Sequence, residues 1–173
     1  MSKVRFIADL HFGHKFMAEH RGFESIEAHD EHVIKQWNSV VHKRDITYIL
    51  GDITMEKNDS YPLLNRLNGM KKVVLGNHDR ASDVPELLEY VNSVCGMAKY
   101  KGVFLTHCPI HPMEMDYRVR HNIHGHIHEN LVMRLVTLFG FKLFERVDRR
   151  YHCVSCEHVD FKPKSLEELG IKR

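Results

Sequence analysis

The sequence predicts an α/β fold, and three observations carry that reading. Short apolar strand runs alternate with helical periodicities through the first half of the chain. Each of those strands ends directly on a polar cluster. No repeat, linker or low-complexity stretch divides the 173 residues, a length that suits one domain (1–173) around one core.

Taken in order, Val4 to Ala8 is a buried-strand run that stops at Asp9. Ser25 then caps a helix whose apolar face is Ile26, Val33, Ile34, Trp37, Val40 and Val41. Ile46 to Leu50 is a second strand, ended by Gly51-Asp52. Asp59 or Ser60 caps a helix through Leu63, Leu64 and Leu67, with Gly69 placed to end it. Lys72 to Leu75 is a third strand, ended by Gly76-Asn77, and a helix from Pro85 to Asn92 follows, capped by Ser82 or Asp83. Beyond it the pattern changes. Val103 to Thr106 reads as a strand ending at His107, and residues 112–124 show no period. Leu131 to Val147 is apolar around Gly140 and reads as a hairpin covering the core with a solvated basic edge. His152 to Ser155 is a late strand, and Ser165 with Glu168 forms a capping box for a terminal helix.

Composition excludes several classes. Hydrophobic residues at 43% and charged residues at 28% are ordinary for a globular protein. A formal net charge of +2 gives no field to draw the chain onto DNA or a membrane, although a metal site can still supply local charge for a nucleotide. No stretch has the 18 or so apolar residues of a bilayer span, and the N-terminus lacks the pattern of a signal peptide. Four cysteines, unevenly spaced at 95, 108, 153 and 156, do not make a disulfide scaffold. The expected compartment is the cytoplasm. The outlying feature is histidine: fifteen are present, several in tight clusters.

Because the polar clusters follow strands, they should converge on one rim, where the carboxyl ends of α/β strands open into a crevice. Asp9 and His11, two apart, point the same way in extended backbone and can grip one ion. His126 and His128 repeat that spacing, Asp52 can bridge two ions, Asn77 offers an amide oxygen, and His107 an imidazole nitrogen. Mixed nitrogen and oxygen ligands suit Mn, Fe, Zn, Co or Ni better than calcium. Seven ligands exceed one tetrahedral site and suit two adjacent ions sharing a carboxylate. Two dications against two carboxylates and a hydroxide leave about +1 facing the cleft, which favours an anionic substrate.

The ordered set Asp9-x-His11, Gly51-Asp52, Gly76-Asn77-His78-Asp79, His107 and Gly125-His126-Ile127-His128 resembles the calcineurin-like metallophosphoesterase family. Asp9-Leu10-His11-Phe12-Gly13-His14 is similar to its small bacterial and phage branch. The resemblance implies a four-layer α/β/β/α sandwich with two mixed sheets. It implies Asp9, His11, Asp52 and His128 on a first metal, and Asp52, Asn77, His107 and His126 on a second, with Mn2+ the leading ion. It implies His78 as general acid, with Asp79 orienting its imidazole, and a hydroxide bridging the metals that attacks phosphorus in line. Small members of that family often pair, so a homodimer is expected from the resemblance alone.

Taken singly, a Gly-Asn-His-Asp or a His-x-His is more often a turn or a surface accident than a site; their order gives them weight. His14 would contact substrate phosphate or serve as an ordinary loop histidine. Arg21 would clamp a phosphate oxygen, against the commoner role of a surface salt bridge. His111 and His124 read as neighbours of ligands. Cys153-x-x-Cys156 with His158 lacks a partner pair, so core cysteines are the better reading, and Cys108 reads as a small buried apolar residue. The expected activity is hydrolysis of a phosphodiester of nucleotide or cyclic-nucleotide type. A phosphomonoesterase or small nuclease on the same site, and a non-catalytic protein-binding module, are the alternatives. Stable nucleic-acid binding and membrane association are not expected.

Overall fold

A computed structural model describes residues 2–55, 59–115 and 119–171. The elements run β1 (Val4–Ile7), α1 (Lys15–His20), α2 (Ile26–Val40), β2 (Ile46–Ile49), β3 (Met70–Val74), α3 (Val84–Leu87), β4 (Ser93–Cys95), β5 (Ala98–Tyr100), β6 (Val103–Leu105), β7 (His121–His124), β8 (Met133–Leu138), β9 (Phe141–Val147), β10 (Tyr151–Cys153) and α4 (Cys156–Val159). They build a mixed α/β fold in which strands outweigh helices.

Two four-stranded sheets position the site, ordered β1-β2-β3-β4 and β10-β7-β6-β5. The first is parallel at every pairing, which corrects the expectation of two mixed sheets; the second is parallel except where β5 meets β6. Parallel strands are buried on both sides, and β1 accordingly reads Val-Arg-Phe-Ile with three of four residues buried. The sheets meet where Ala8 bridges to Ser155, with the Ala8 amide donating to the Val154 carbonyl at 2.9 Å. Phe6, Ile7, Ile49, Val73, Val74, Leu105, Ile123 and Val154 share one core. Onto it α2 lays Val33, Ile34 and Trp37, and the Trp37 indole donates to the Asn68 carbonyl at 3.0 Å. Ser25 caps α2 as expected, its hydroxyl accepting from the Ala28 amide at 3.1 Å.

Several elements differ from the sequence reading. The segment after Ser60 is a 3-10 helix (Tyr61–Arg66), and α3 is one turn long with no side-chain cap from Asp83. The helix α1 and the strands β4, β5 and β7 were not legible. His121-Asn122-Ile123-His124 looks too polar for a central strand. The Asn122 amide nevertheless sits wholly buried because it donates to the Phe104 carbonyl and to the Thr106 hydroxyl, at 3.2 and 2.9 Å. Ser165 and Glu168 do exchange the two hydrogen bonds of a capping box, but around a turn. Residues 116–118, within the stretch read as lacking a period, lie outside the described residues.

The expected hairpin exists as β8 and β9, turning at Phe139 and Gly140, whose φ values of 49° and 82° are those of a tight two-residue turn. Its placement corrects the sequence reading. Every residue of β9 and all but Val136 of β8 are exposed, so it stands off the core and covers nothing.

Candidate metal centre

The carboxyl ends of six strands meet at one rim. Asp9 and His11 follow β1, Asp52 follows β2, Asn77 follows β3, His107 follows β6, His126 and His128 follow β7, and Ser155 and Glu157 follow β10. The chain bends sharply to aim these side chains inward. Asp9, His11, Asp52, His126 and His128 all hold φ between 47° and 73°, the left-handed region that non-glycine residues avoid at roughly 1 kcal/mol or more each. Glycines let the loops close up beside them. A Cβ on Gly125 would lie 2.5 Å from Asp9 Oδ2, and one on Gly51 would lie 2.5 Å from His107 Nδ1.

Metal-ligating atoms gather in overlapping groups: Asp9, His11 and His128; Asp9, Asp52 and His107; and His107, Cys108 and His126, each within 4.8 Å of one another. Asp52 lies between them. Its Oδ1 accepts from the His78 amide at 3.1 Å, while Oδ2 stands 4.0 Å from His11 Nε2 and 3.4 Å from His107 Nε2. The rings of His11 and His128 stack at 5.4 Å, and those of His107 and His126 meet edge-on at 5.0 Å.

These groups fit cations for a reason visible in their hydrogen bonding. His107 Nδ1 faces the Leu50 carbonyl at 2.8 Å and must donate to it, so Nε2 of the neutral ring carries a lone pair. That lone pair confronts Asn77 Oδ1 at 2.8 Å, His126 Nδ1 at 3.2 Å and Asp52 Oδ2 at 3.4 Å. Converging electron pairs repel unless a proton or a metal ion sits among them. Burial by itself lowers the His107 pKa, but the Asp52 carboxylate overcomes it and the net shift is upward. In the other group, both His11 ring nitrogens are buried without a hydrogen-bond partner among the described residues, and burial together with Arg21 pulls its pKa down to about 3. Burial pushes the Asp9 carboxyl up to about 6 despite a 2.6 Å hydrogen bond from Ser155. The metal-free chain therefore loses stability as pH rises from the ordinary Asp9 value of 3.8 through about 6, and a bound cation would restore it.

Other residues singled out in the sequence take different places. His78 lies half-buried at the lip, its ring 6.1 Å from that of His11. Asp79 is buried, and both carboxylate oxygens accept backbone amides: Asp52 and Gly76 at 2.8 Å and Ile53 at 3.1 Å. It braces two ligand loops against each other, a role unlike the expected orienting of His78. His14 caps α1, its Nδ1 accepting from the Met17 amide at 3.3 Å. Arg21 is neither phosphate clamp nor surface ion pair. Its side chain is buried and donates to the Asp9 and Leu10 carbonyls at 2.7 and 3.2 Å. His111 is exposed, and His124 is buried with Nδ1 on the Gly125 carbonyl. Cys153 and Cys156 are buried free thiols, whereas Cys108 is exposed beside His107 and His126, against its reading as a buried apolar residue.

Two residues escaped the sequence reading. Glu157 accepts from His128 Nδ1 at 3.2 Å and from Arg21 Nε at 2.8 Å, which leaves His128 Nε2 for the cleft. Burial opposes its ionisation, but His128 and Arg21 outweigh that and hold its carboxyl down at about 2. Ser155 fixes Asp9. The available signal was the strand at His152 to Ser155, whose end joins the same rim as the other strand ends.

An open cleft of about 650 Å3 runs from His126 and His128 over Phe16, Met17, Ile127, Leu131 and Val132, with His20 and Glu129 paired on its edge at 2.7 Å. Among the described residues no helix is long and apolar enough to cross a membrane.

Uncharacterized protein MJ1445 of Methanocaldococcus jannaschii is 31% identical to this chain over 175 residues, spanning 96% of this chain and 89% of that protein. The chain belongs to the MJ1445 family. Gene 66 protein of Mycobacterium phage D29 is similar to it as well, at 32% identity over 79% of this chain and 84% of that protein. No family model matches the chain. Among solved structures, the crystal structure of AQ665, a protein of unknown function from Aquifex aeolicus, superposes with a TM-score of 0.69 at 25% identity, over 98% of both chains. This MJ1445-family chain is thus similar in sequence to proteins from an archaeon and a phage, and in fold to one from a bacterium.

Proposed function

We propose that this protein is a dinuclear metal-dependent phosphoesterase, a four-layer α/β/β/α member of the calcineurin-like metallophosphoesterases, which hydrolyses phosphodiesters of nucleotide or cyclic-nucleotide type in the cytoplasm. One observation carries the reading: Asp52 Oδ2 lies between two groups of metal-ligating side chains, 4.0 Å from His11 Nε2 and 3.4 Å from His107 Nε2. Asp9, His11, His128 and Asp52 would hold one divalent ion, and Asp52, Asn77, His107 and His126 the other, Mn2+ being the first choice among Mn, Fe, Zn, Ni and Co. When bound, the pair would supply Lewis-acid charge for the phosphoryl oxygens and bring a water's pKa toward neutrality.

The chain's own groups divide the remaining work. His78, tied through its amide to Asp52 and half-buried at the lip, would hold a proton for the departing oxygen. Asp79 keeps the loops bearing Asp52 and Asn77 in register by accepting three backbone amides. The apolar cleft beside His126 and His128 supports a substrate with a flat hydrophobic portion, and exposed Phe16 offers a ring face for it.

A generic aryl phosphodiester and the matching monoester, assayed in parallel with Mn2+, test the preference. The diester is expected to turn over at least tenfold faster, since it carries one negative charge where the monoester carries two, and the attacking hydroxide is itself an anion. Faster monoester turnover overturns the diester assignment, and no turnover of either with any of the five metals overturns the phosphoesterase reading.

A thermal melt tests the metals without substrate. At Mn2+ concentrations near a hundred times Kd the fold should gain roughly 2–3 kcal/mol, about 5–10 °C in Tm. The gain should be larger at pH 7.5 than at pH 5, because Asp9 titrates at about 6 in the metal-free chain. An equal shift at both pH values counts against Asp9 as a ligand.

A further inference from the structure

The β8–β9 hairpin presents a problem of its own. A two-stranded ribbon is marginally stable in water unless one face packs on something. Here neither face does: Leu138, Phe141, Leu143 and Phe144 are 53–75% exposed, Phe139 at the turn is 91% exposed, and Met133, Leu135 and Val147 are more than 40% exposed. Side chains alternate sides along a strand, and the bulge at Val136/Thr137 shifts that alternation, so apolar groups occupy both surfaces. Together with Leu131 they expose roughly 800 Å2 of apolar surface, taking about 150–250 Å2 for a fully exposed large side chain. That exceeds the largest apolar patch of an ordinary monomer, about 300–600 Å2, and equals the roughly 800 Å2 per partner of a standard stable interface.

We infer that the hairpin is a dimerisation arm whose occupant is a second copy of this chain. An arm that needs cover whenever the chain is folded requires a partner present whenever the chain is made, and the chain itself meets that condition. The charges agree. Arg134 and Arg146 stand directly opposite each other across the ribbon, a like-charge pair that costs stability in isolation, while Glu145 stands beside Arg146. In a two-fold interface the same patch of both copies meets, residue i of one against j of the other, so ribbons paired in this way can set Glu145 of one copy against the arginines of the other. The ribbon rises from Leu131 and Val132, which also line the cleft at His126 and His128, so pairing would occur at the mouth of the candidate site.

Sedimentation velocity on the full chain, from 1 to 100 µM and with EDTA present, tests the arm independently of the proposed chemistry. The wild type is expected at twice its 20.4 kDa mass. Phe141→Glu with Phe144→Glu should weaken the dimer at least 100-fold while circular dichroism stays unchanged, since neither side chain contributes to the core. Shortening the ribbon to a direct turn between Val132 and Asp148 should give the same monomer. A wild type that remains monomeric at 100 µM overturns the proposal. So does a dimer that survives both changes, which would place the interface elsewhere. Co-flotation of a monomeric wild type with vesicles containing anionic phospholipid, abolished by the double substitution, would assign the arm to a lipid surface and likewise overturn it.

Discussion

Asp52→Asn is expected to lower Mn2+-dependent phosphodiester hydrolysis by about 10³-fold or more, several kcal/mol of transition-state stabilisation. The substitution is nearly isosteric, so the loss would come from charge and donor number. Asp52 Oδ1 is engaged by the His78 amide, and Oδ2 alone serves the space between His11 and His107. An asparagine that kept its oxygen on the His78 amide would turn an NH2 toward both clusters, putting two donor hydrogens where positive charge should sit. The fold should survive, because the Asp52 and Ile53 amides given to Asp79 join this loop to the next, and the asparagine oxygen can keep the bond from the His78 amide. Steady-state kcat/KM, metal stoichiometry on the purified variant and a melting curve in EDTA separate these effects. Activity within tenfold of wild type, with two metals retained, would sink the assignment of Asp52.

Glu157→Gln should weaken one of the two metal equivalents by about 10- to 100-fold and leave the other nearly unchanged. Glu157 fixes His128 through Nδ1 at 3.2 Å, and its ion pair with Arg21 at 2.7 Å joins that histidine to the Asp9 and Leu10 carbonyls. Both contacts belong to the group of Asp9, His11 and His128. Isothermal titration with Mn2+ reads the selectivity, which a general loss of packing would not produce. The same change should show in acid. A carboxyl held at about 2 instead of 4.5 contributes roughly 3 kcal/mol to the metal-free fold above pH 4.5, and that contribution disappears as pH falls toward 2. Removing Glu157 should therefore flatten the decline in Tm over that range in EDTA. Equal weakening of both equivalents, or an acid limb identical to wild type, counts against this positioning role.

The legible part of the fold has a common character. Val4 to Ala8, Ile46 to Leu50, Lys72 to Leu75 and Val103 to Thr106 announce themselves because buried parallel strands are apolar runs bounded by glycine and polar residues. α2 is legible because Ser25 and a helical apolar face agree. What failed to show was structure whose stability comes from elsewhere. β7 is polar, and the buried Asn122 amide bonds to the Phe104 carbonyl and the Thr106 hydroxyl. α1 has six residues and depends on a histidine cap. β8 and β9 were placed on the core by their apolarity, yet they turn that apolarity outward.

The candidate site divides along the same line. The sequence by itself determined which candidate ligand types stand at the rim, because Asp, His and Asn and their positions just after strands follow from the chain's order alone. Only the tertiary structure decided what holds those ligands. Asp79 turned out to brace backbone, Arg21 to be buried under the Asp9 loop, and Glu157 to reach His128 from 29 residues away. The physical reason is range. A strand end specifies its own polar residue locally, whereas the partner that orients that residue is chosen by whichever loop the sheets bring alongside, and such proximity has no periodicity along the chain.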